Sequence, residues 1–346
     1  ANTLVGLTTG VVTATVAADT AAQLNSDLTA ATASDALSLS ITAVSVNAAD
    51  LIALAGKTSV AVDASLVTGV SGTAAELQAL YTLGATEITG LGTEGVTITG
   101  TPSAAEANAV AVLTTGTVTA TLASGSAADL NAALTETALN AYTITVTGTS
   151  AAMGDLNALN AKTSVAINVD TVTGLTGTNA ELTSLLGGQV TLATAPGFEA
   201  TGTTGFDGNE TITLTDTVTA AQAGVAQAAT TTDVTATVSD TLANFIGTGG
   251  GAANLEAGHA ITFVLSETTA TALDLKAADL LTTVAIDASN LVSISGLRTD
   301  IGDVYAGGFT GLGTEAITVG DASVTAAQAN TLVGLTTGVV TATVAA

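Results

Sequence analysis

Short runs in which Val, Ile or Leu alternate with Thr, Ser or Ala recur along the chain. Val12–Ala17, Ser38–Val44, Ser59–Ala64 and Gly95–Thr99 come first, followed by Tyr142–Thr147, Ser164–Val169 and Ile261–Leu265. A period of two marks a strand with one buried face. Between these runs the pattern changes. Stretches rich in Ala and Leu open on Ser, Thr or Asn and carry Glu, Gln or Asp three residues later, which is the signature of a capped helix start. The series runs Thr20/Gln23, Asn47/Asp50, Thr73/Glu76, Ser103/Glu106, Ser126/Asp129, Thr178/Glu181, Thr219/Gln222 and Thr325/Gln328. Gly or Thr-Gly closes each unit. Helices of roughly two to three turns are unstable alone, so their neighbours must hold them.

The alternation belongs to a larger repeat. Residues 1–18, ANTLVGLTTGVVTATVAA, recur unchanged as residues 329–346, a shift of 328. Val-Thr-Ala-Thr-(Val/Leu) begins at Val12, Val118, Val234 and Val340, with steps of 106, 116 and 106. Other columns keep this order: Val60-Ala-Val-Asp63, Val165-Ala-Ile-Asn168 and Val284-Ala-Ile-Asp287, then Gly92-Thr-Glu94, Gly208-Asn-Glu210 and Gly313-Thr-Glu315. We read residues 1–346 as one continuous segment of a longer tandem array. It holds three super-repeats, at about 12–117, 118–233 and 234–339, and residues 329–346 start the next period. Each super-repeat divides into four strand–helix units of about 27 residues.

Such a unit cannot bury its apolar face alone, but copies stacked on one another can. The expected fold is α/β: a right-handed solenoid of stacked strand–helix coils, with one long parallel β-sheet and short helices on the other wall. The hand follows from the near-universal right-handedness of strand–helix–parallel strand crossovers. Twelve coils at about 4.8 Å each would advance about 58 Å. Ala195–Gly205 and Gly247–Gly251, rich in Gly, Thr and Ala, are expected to leave the coil as loops. The first would account for the longer second super-repeat.

Composition narrows the function. The chain carries 4 Lys+Arg against 29 Asp+Glu, a net charge of -25, yet 47% of its residues are apolar and its mean hydropathy is +0.59. A disordered acidic chain is poor in apolar side chains, so this one folds. Aromatic residues make up only 2%, which leaves a thin core of Ala, Val, Leu and Ile. The acidic surface repels phosphate and lacks the cations that release counterions, which excludes nucleic acid as a partner. Absence of Cys excludes disulfides, thiolate metal sites and thiol catalysis. Thr, Gly and Asn interrupt every apolar run well short of a bilayer span, so no membrane insertion is expected.

Several motifs invite a chemical reading. Gly56-Lys57-Thr58 resembles the end of a phosphate-binding loop, but Leu51 stands where the earlier glycine is required. The matching copies read Ala161-Lys162-Thr163 and Leu280-Leu281-Thr282, so the motif reads as a turn leading into a strand. His259, the single imidazole, falls in a column with Leu39 and Tyr142 when counted from the strand Ile, a semi-exposed strand position. With no second His and no Cys, no triad or zinc site assembles, and no enzyme is expected. Asp50, Glu76, Glu106, Asp129 and Glu181 stand at helix N3 positions, where they accept backbone N–H bonds and favour the dipole. Asp63 and Asp287, aligned with Asn168, and Glu94, Glu210 and Glu315 behind glycines are oxygen donors of the kind that suits Ca²⁺. They lack the dense spacing of a calcium loop, and turn hydrogen bonding is the competing role. The Thr-x-Thr pairs at Thr13/Thr15, Thr119/Thr121, Thr145/Thr147, Thr213/Thr215 and Thr235/Thr237 resemble ice-binding arrays, but Val60-Ala-Val-Asp63 and Phe263-Val-Leu-Ser266 break the row. Surface Ser and Thr are candidate carriers of O-linked glycan.

Gly72-Thr-Ala-Ala-Glu-Leu-Gln-Ala-Leu-Tyr81, Gly90-Leu-Gly-Thr-Glu-Gly-Val-Thr-Ile-Thr99 and Val340-Thr-Ala-Thr-Val344 resemble the Ala/Thr/Gly-rich tandem repeats of giant secreted bacterial cell-surface proteins of the marine cyanobacterial type. The resemblance implies an extracellular or cell-surface place and a role in filaments, adhesion or motility. It carries over no catalytic residue, and the calcium nonapeptides common in secreted relatives are missing. The expected function is a structural segment of a giant extracellular filament, built by end-to-end stacking with the chain itself as partner and with lateral bundling. The alternative is an adhesin or phage-type fibre stalk that spaces a binding tip lying outside this segment.

Overall fold

The computed structural model describes residues 1–187, 203–204, 208–248 and 255–345. Among them short strands and short helices alternate, and every paired strand runs parallel to its partner. Two compact units are present. One is built mainly from Ala1–Gly148 and Asp155–Asp170, the other from Thr149–Gly154 and most of the chain beyond Thr171.

In the first unit, Ser45–Asn47, Gly69–Gly72, Gly95–Ile98, Val118–Thr121 and Ala141–Thr143 form a five-stranded sheet in chain order. Val46, Val70, Val96 and Val118 pair in register and are all buried, so the two-residue period aims one row of valines inward. The opposite row, Asn47, Ser71, Thr97, Thr119 and Ala141, mixes residue types and forms no threonine array. Helices Ala48–Ala55, Ala74–Leu83, Ala104–Ala111 and Ala127–Ala133 connect these strands and pack in sequence on one another. Leu51, Leu54, Leu77, Leu80, Ala107 and Val110 form their buried faces.

Helix starts follow the sequence pattern. Thr73/Glu76, Ser103/Glu106, Thr219/Gln222 and Thr325/Gln328 make reciprocal capping boxes. Thr20 and Ser126 accept from the N3 backbone. Asn47 instead caps through the N–H of Ala49, and the Gln23 amide turns to Asp27. A cap side-chain oxygen accepts from either the N2 or the N3 N–H, and Asn47 takes the N2 donor.

The second unit contains a seven-stranded sheet and a four-stranded one. The four-stranded sheet is Thr269–Thr271, Ser293–Gly296, Ala316–Val319 and Val340–Thr341. Phe245 stacks on Phe263, and both are fully buried. Several parallel sheets therefore replace the single long sheet expected from sequence.

The reason lies in two unequal steps. Strand partners stand 22 to 26 residues apart at Val96↔Val118 and Gly69↔Gly95. Over the four steps of the five-stranded sheet the helix starts advance further, 105 residues from Ala48 to Met153 against 94 for the paired column from Asn47 to Ala141. Along the paired column from Asn47 to Ala141, the gap to the next helix grows: Asn47 directly precedes Ala48, whereas Ala141 stands 12 residues before Met153. That gap holds another strand, Ser150–Ala152, which opens the next sheet. The 27-residue unit read from sequence is thus the helix step and not the strand step.

Ala195–Gly205 lies outside the described residues apart from Thr203–Thr204, which is not loop but pairs with Ile167–Asn168. Gly174 pairs with Thr211, 37 residues on, so the extra length of the second super-repeat sits in that step. Gly247–Gly251 is described only through Thr248.

Close stacking is visible at Gly90, which has φ 89 and would place a Cβ 2.6 Å from the Ser65 backbone of the preceding coil. We expect Gly90→Ala to cost at least about 2 kcal/mol, from overpacking added to left-handed strain. Gly302 lies inside helix Arg298–Ala306 with open space where its Cβ would be. Gly302→Ala should stabilise by about 0.5–1 kcal/mol. Denaturant melts of the two variants check both signs.

Candidate functional site

The side chains that recur most regularly join each coil to its neighbour. Six Thr-Ser or Thr-Thr pairs do this: Thr58-Ser59, Thr114-Thr115, Thr163-Ser164, Thr230-Thr231, Thr282-Thr283 and Thr336-Thr337. The first hydroxyl accepts from the N–H two residues on, at Val60, Gly116, Val165, Thr232, Val284 and Gly338. The same hydroxyl donates to a carbonyl one coil back, on Leu37, Glu94, Tyr142, Glu210, Ile261 and Glu315 respectively. The second residue of each pair sends both its N–H and its hydroxyl to one carbonyl of that coil, for example Ser59 to Asp35 and Thr337 to Gly313. A hydroxyl both donates and accepts, so one small side chain serves backbone groups of two coils. The placement explains why Thr58, Thr114, Thr163 and Thr336 are buried polar residues.

A second column supplies acceptors. The N–H of Val12 donates to Asp35 Oδ1 at 3.0 Å, that of Val118 to Asn140 Oδ1 at 2.9 Å, and that of Val234 to His259 Nδ1 at 3.1 Å. His259 therefore aligns with Asp35 and Asn140, not with Leu39 and Tyr142. It is half-buried and directly precedes strand Ala260–Leu265. Counting from Ile261 misplaced it, because that Ile pairs in the column of Leu37 and Tyr142 rather than of Ile41. The Val12 N–H, followed by that of Thr32, holds the Asp35 carboxyl below its ordinary range.

Carboxamides add a third link. Asn2 accepts from Ala30 N and donates to Thr29, and Asn108 accepts from Thr135 N and Glu136 N while donating to Thr135. Gln227 accepts from Glu256 N and donates to Glu256 O. Lys57 and Lys162 reach back to the carbonyls of Leu28 and Leu134, which end helices of the preceding coil, where the dipole favours a cation. Gly56-Lys57-Thr58 is thus an inter-coil joint.

The oxygen donors singled out for calcium are dispersed. Asp63 and Asp287 accept from Ser65 N and Ser289 N, as Asn168 does from Asp170 N, so all three close Asx-turns. Glu94, Glu210 and Glu315 are buried and accept from Gly92 N, Gly208 N and Gly313 N. The Tyr81 phenol also donates to Glu94. Burial and this carboxylate push the Tyr81 hydroxyl up. Among the described residues no three His, Cys, Asp or Glu side chains converge to hold a metal. No helix of the described residues is long and apolar enough to cross a membrane.

The threonine pairs and the carboxamides escaped the sequence reading. The signal of the pairs is a Thr-Ser or Thr-Thr whose first residue stands four before a strand, at six strands, but Thr is so common here that the column does not stand out.

Thr58→Val removes bonds to Leu37 O and Val60 N and should lower stability by about 1–3 kcal/mol. Thr8 occupies the same column but is exposed and bonds only Gly10 N, so Thr8→Val should stay within about 0.5 kcal/mol. Denaturant titration compares them.

Backbone donors from Val12, Thr73 and Ser103 lower Asp35, Glu76 and Glu106. Their stabilisation is fully present above the unfolded value of about 4 and is lost as pH falls through the lowered folded values. The melting temperature should therefore fall in acid. Asp35→Asn, which keeps the acceptor as Asn140 does, should make that fall shallower.

Comparison with family models, curated proteins and solved structures finds no match to this chain.

Proposed function

We propose that this chain is a structural repeat segment of a giant extracellular filament or cell-surface fibre. Its coils wind as a right-handed solenoid, the hand that strand–helix–parallel strand crossovers take. The observation that carries this reading is where the recurrent polar side chains point. The threonine pairs, the Asp35 column and the carboxamides all bond backbone one coil away, so the repeated chemistry serves continuation.

The mechanism is mechanical. Each coil presents a row of backbone donors and acceptors, and the next coil covers it, so length grows with exposed edges only at the tips. A net charge of -25 keeps neighbouring rods apart at low salt. The Debye length shrinks from about 10 Å at 0.1 M to about 3 Å at 1 M, which removes that repulsion and permits lateral bundling.

Electron microscopy of the native material, with its mass on a denaturing gel, tests the reading. Filaments many periods long support it, and uniform single-period particles overturn it. Light scattering of the purified chain should rise between low salt and about half-molar salt. A flat trace would remove the bundling step.

A further inference from the structure

We propose that the face formed by Asn330, Val333 and strand Val340–Thr341 is the docking surface for a second copy of this repeat, which enters through residues 19–47 of that copy. This rests on the filament reading and specifies its joint.

Residues 1–18 and 329–346 are identical in sequence, yet two adjacent apolar positions in them invert their burial. Val5 is 7% exposed and its equivalent Val333 56%, whereas Leu4 is 58% exposed and its equivalent Leu332 2%. Identical residues differ only in what covers them. At residues 1–18 the coil that follows is in place. The Asn2 carboxamide holds Thr29 and Ala30, and Thr13–Thr15 pairs with Ala36–Ser38. At residues 329–346 the coil that precedes is in place. Thr336 donates to Glu315 O, and Val340–Thr341 pairs with Ile317–Thr318. The two ends of the chain thus display the two halves of one coil's bonding, and residues 19–47 already fit the missing half.

Superposing the halves assigns each contact. Val12 N donates to Asp35, Val12 O accepts from Ala36 N, and Val16 N donates to Ser38 O. In the joint, the same atoms of Val340 and Val344 meet the incoming Asp35, Ala36 and Ser38. These atoms lie on the edge away from the preceding coil, which bonds the alternate residues Val339, Thr343 and Ala345. Asn330, exposed here, takes the incoming Thr29 and Ala30 as Asn2 does. Val333 becomes covered as Val5 is.

The test compares the 346-residue chain with a two-copy chain in which residues 19–346 follow Ala346. Hydrogen exchange of Val340 and Val344 amides should slow by at least about a hundredfold in the two-copy chain, as an edge becomes an interior ladder. Val333→Glu in the single chain should leave its melting temperature unchanged, because the side chain is exposed there. The same substitution at the junction of the two-copy chain should restore fast exchange. Equal exchange in both chains, or a junction indifferent to Val333→Glu, overturns the joint. Imaging of the native material judges the filament reading separately, so filaments with an unprotected junction would sink the joint alone.

Discussion

Backbone hydrogen bonding between coils is the constraint on which everything else rests. A coil of two short strands and a short helix leaves donors and acceptors directed at the next coil, and burying them unpaired is costly. Parallel strands satisfy only part of that row, because most strands in the first unit are two to four residues long. Hydroxyls and amides cover the remainder. Thr58 alone meets Leu37 N, Leu37 O and Val60 N, which is why a polar residue occupies a buried position without penalty.

Close approach sets the composition. Ala, Val and Leu dominate the interior, and glycine appears where backbones nearly touch, as at Gly90 beneath Ser65. Acids are assigned to local tasks. Glu76 and Glu106, outside the buried core, complete capping boxes. The buried Glu94 and Glu315 fold onto their own glycine turns, whose N–H groups compensate the carboxylate. Two of the 4 cations, Lys57 and Lys162, close helix ends of the coil before. Apart from Asp35, Glu94, Glu210 and Glu315, the acids of the described residues stand outside the buried core, and their effect is on association more than on the fold.

The super-repeat follows from a mismatch between layers. Helices advance along the chain in larger steps on average than the paired strands, so the gap between a strand and the helix after it grows along the ladder, as from Asn47/Ala48 to Ala141/Met153. New ladders start in gaps of 12 residues between a strand start and the next helix, as Ser45–Asn47 does nine residues after Ala36 and Thr269–Thr271 does nine residues after Ala260. A single long sheet would demand equal steps in both layers.

Much of this was readable without coordinates. Period-two alternation located strands such as Thr13–Thr15, Gly95–Ile98 and Ala260–Leu265 to within a few residues, but it ran Ser38–Val44 across the break between Ala36–Ser38 and Ser45–Asn47. The Ser/Thr-x-x-Glu/Gln pattern located most helix starts, because it depends on contacts between near neighbours in sequence. The threefold division and the unchanged 18-residue recurrence are also properties of the string alone. Other features depended on residues 20 to 30 positions apart meeting across coils. His259 belongs with Asp35 and Asn140 only because Val234 lies opposite it, and Thr58 is buried as a polar residue only because the backbone of Leu37 meets it. Register between neighbouring strand–helix units is the sum of such long-range contacts, and no local pattern encodes that sum.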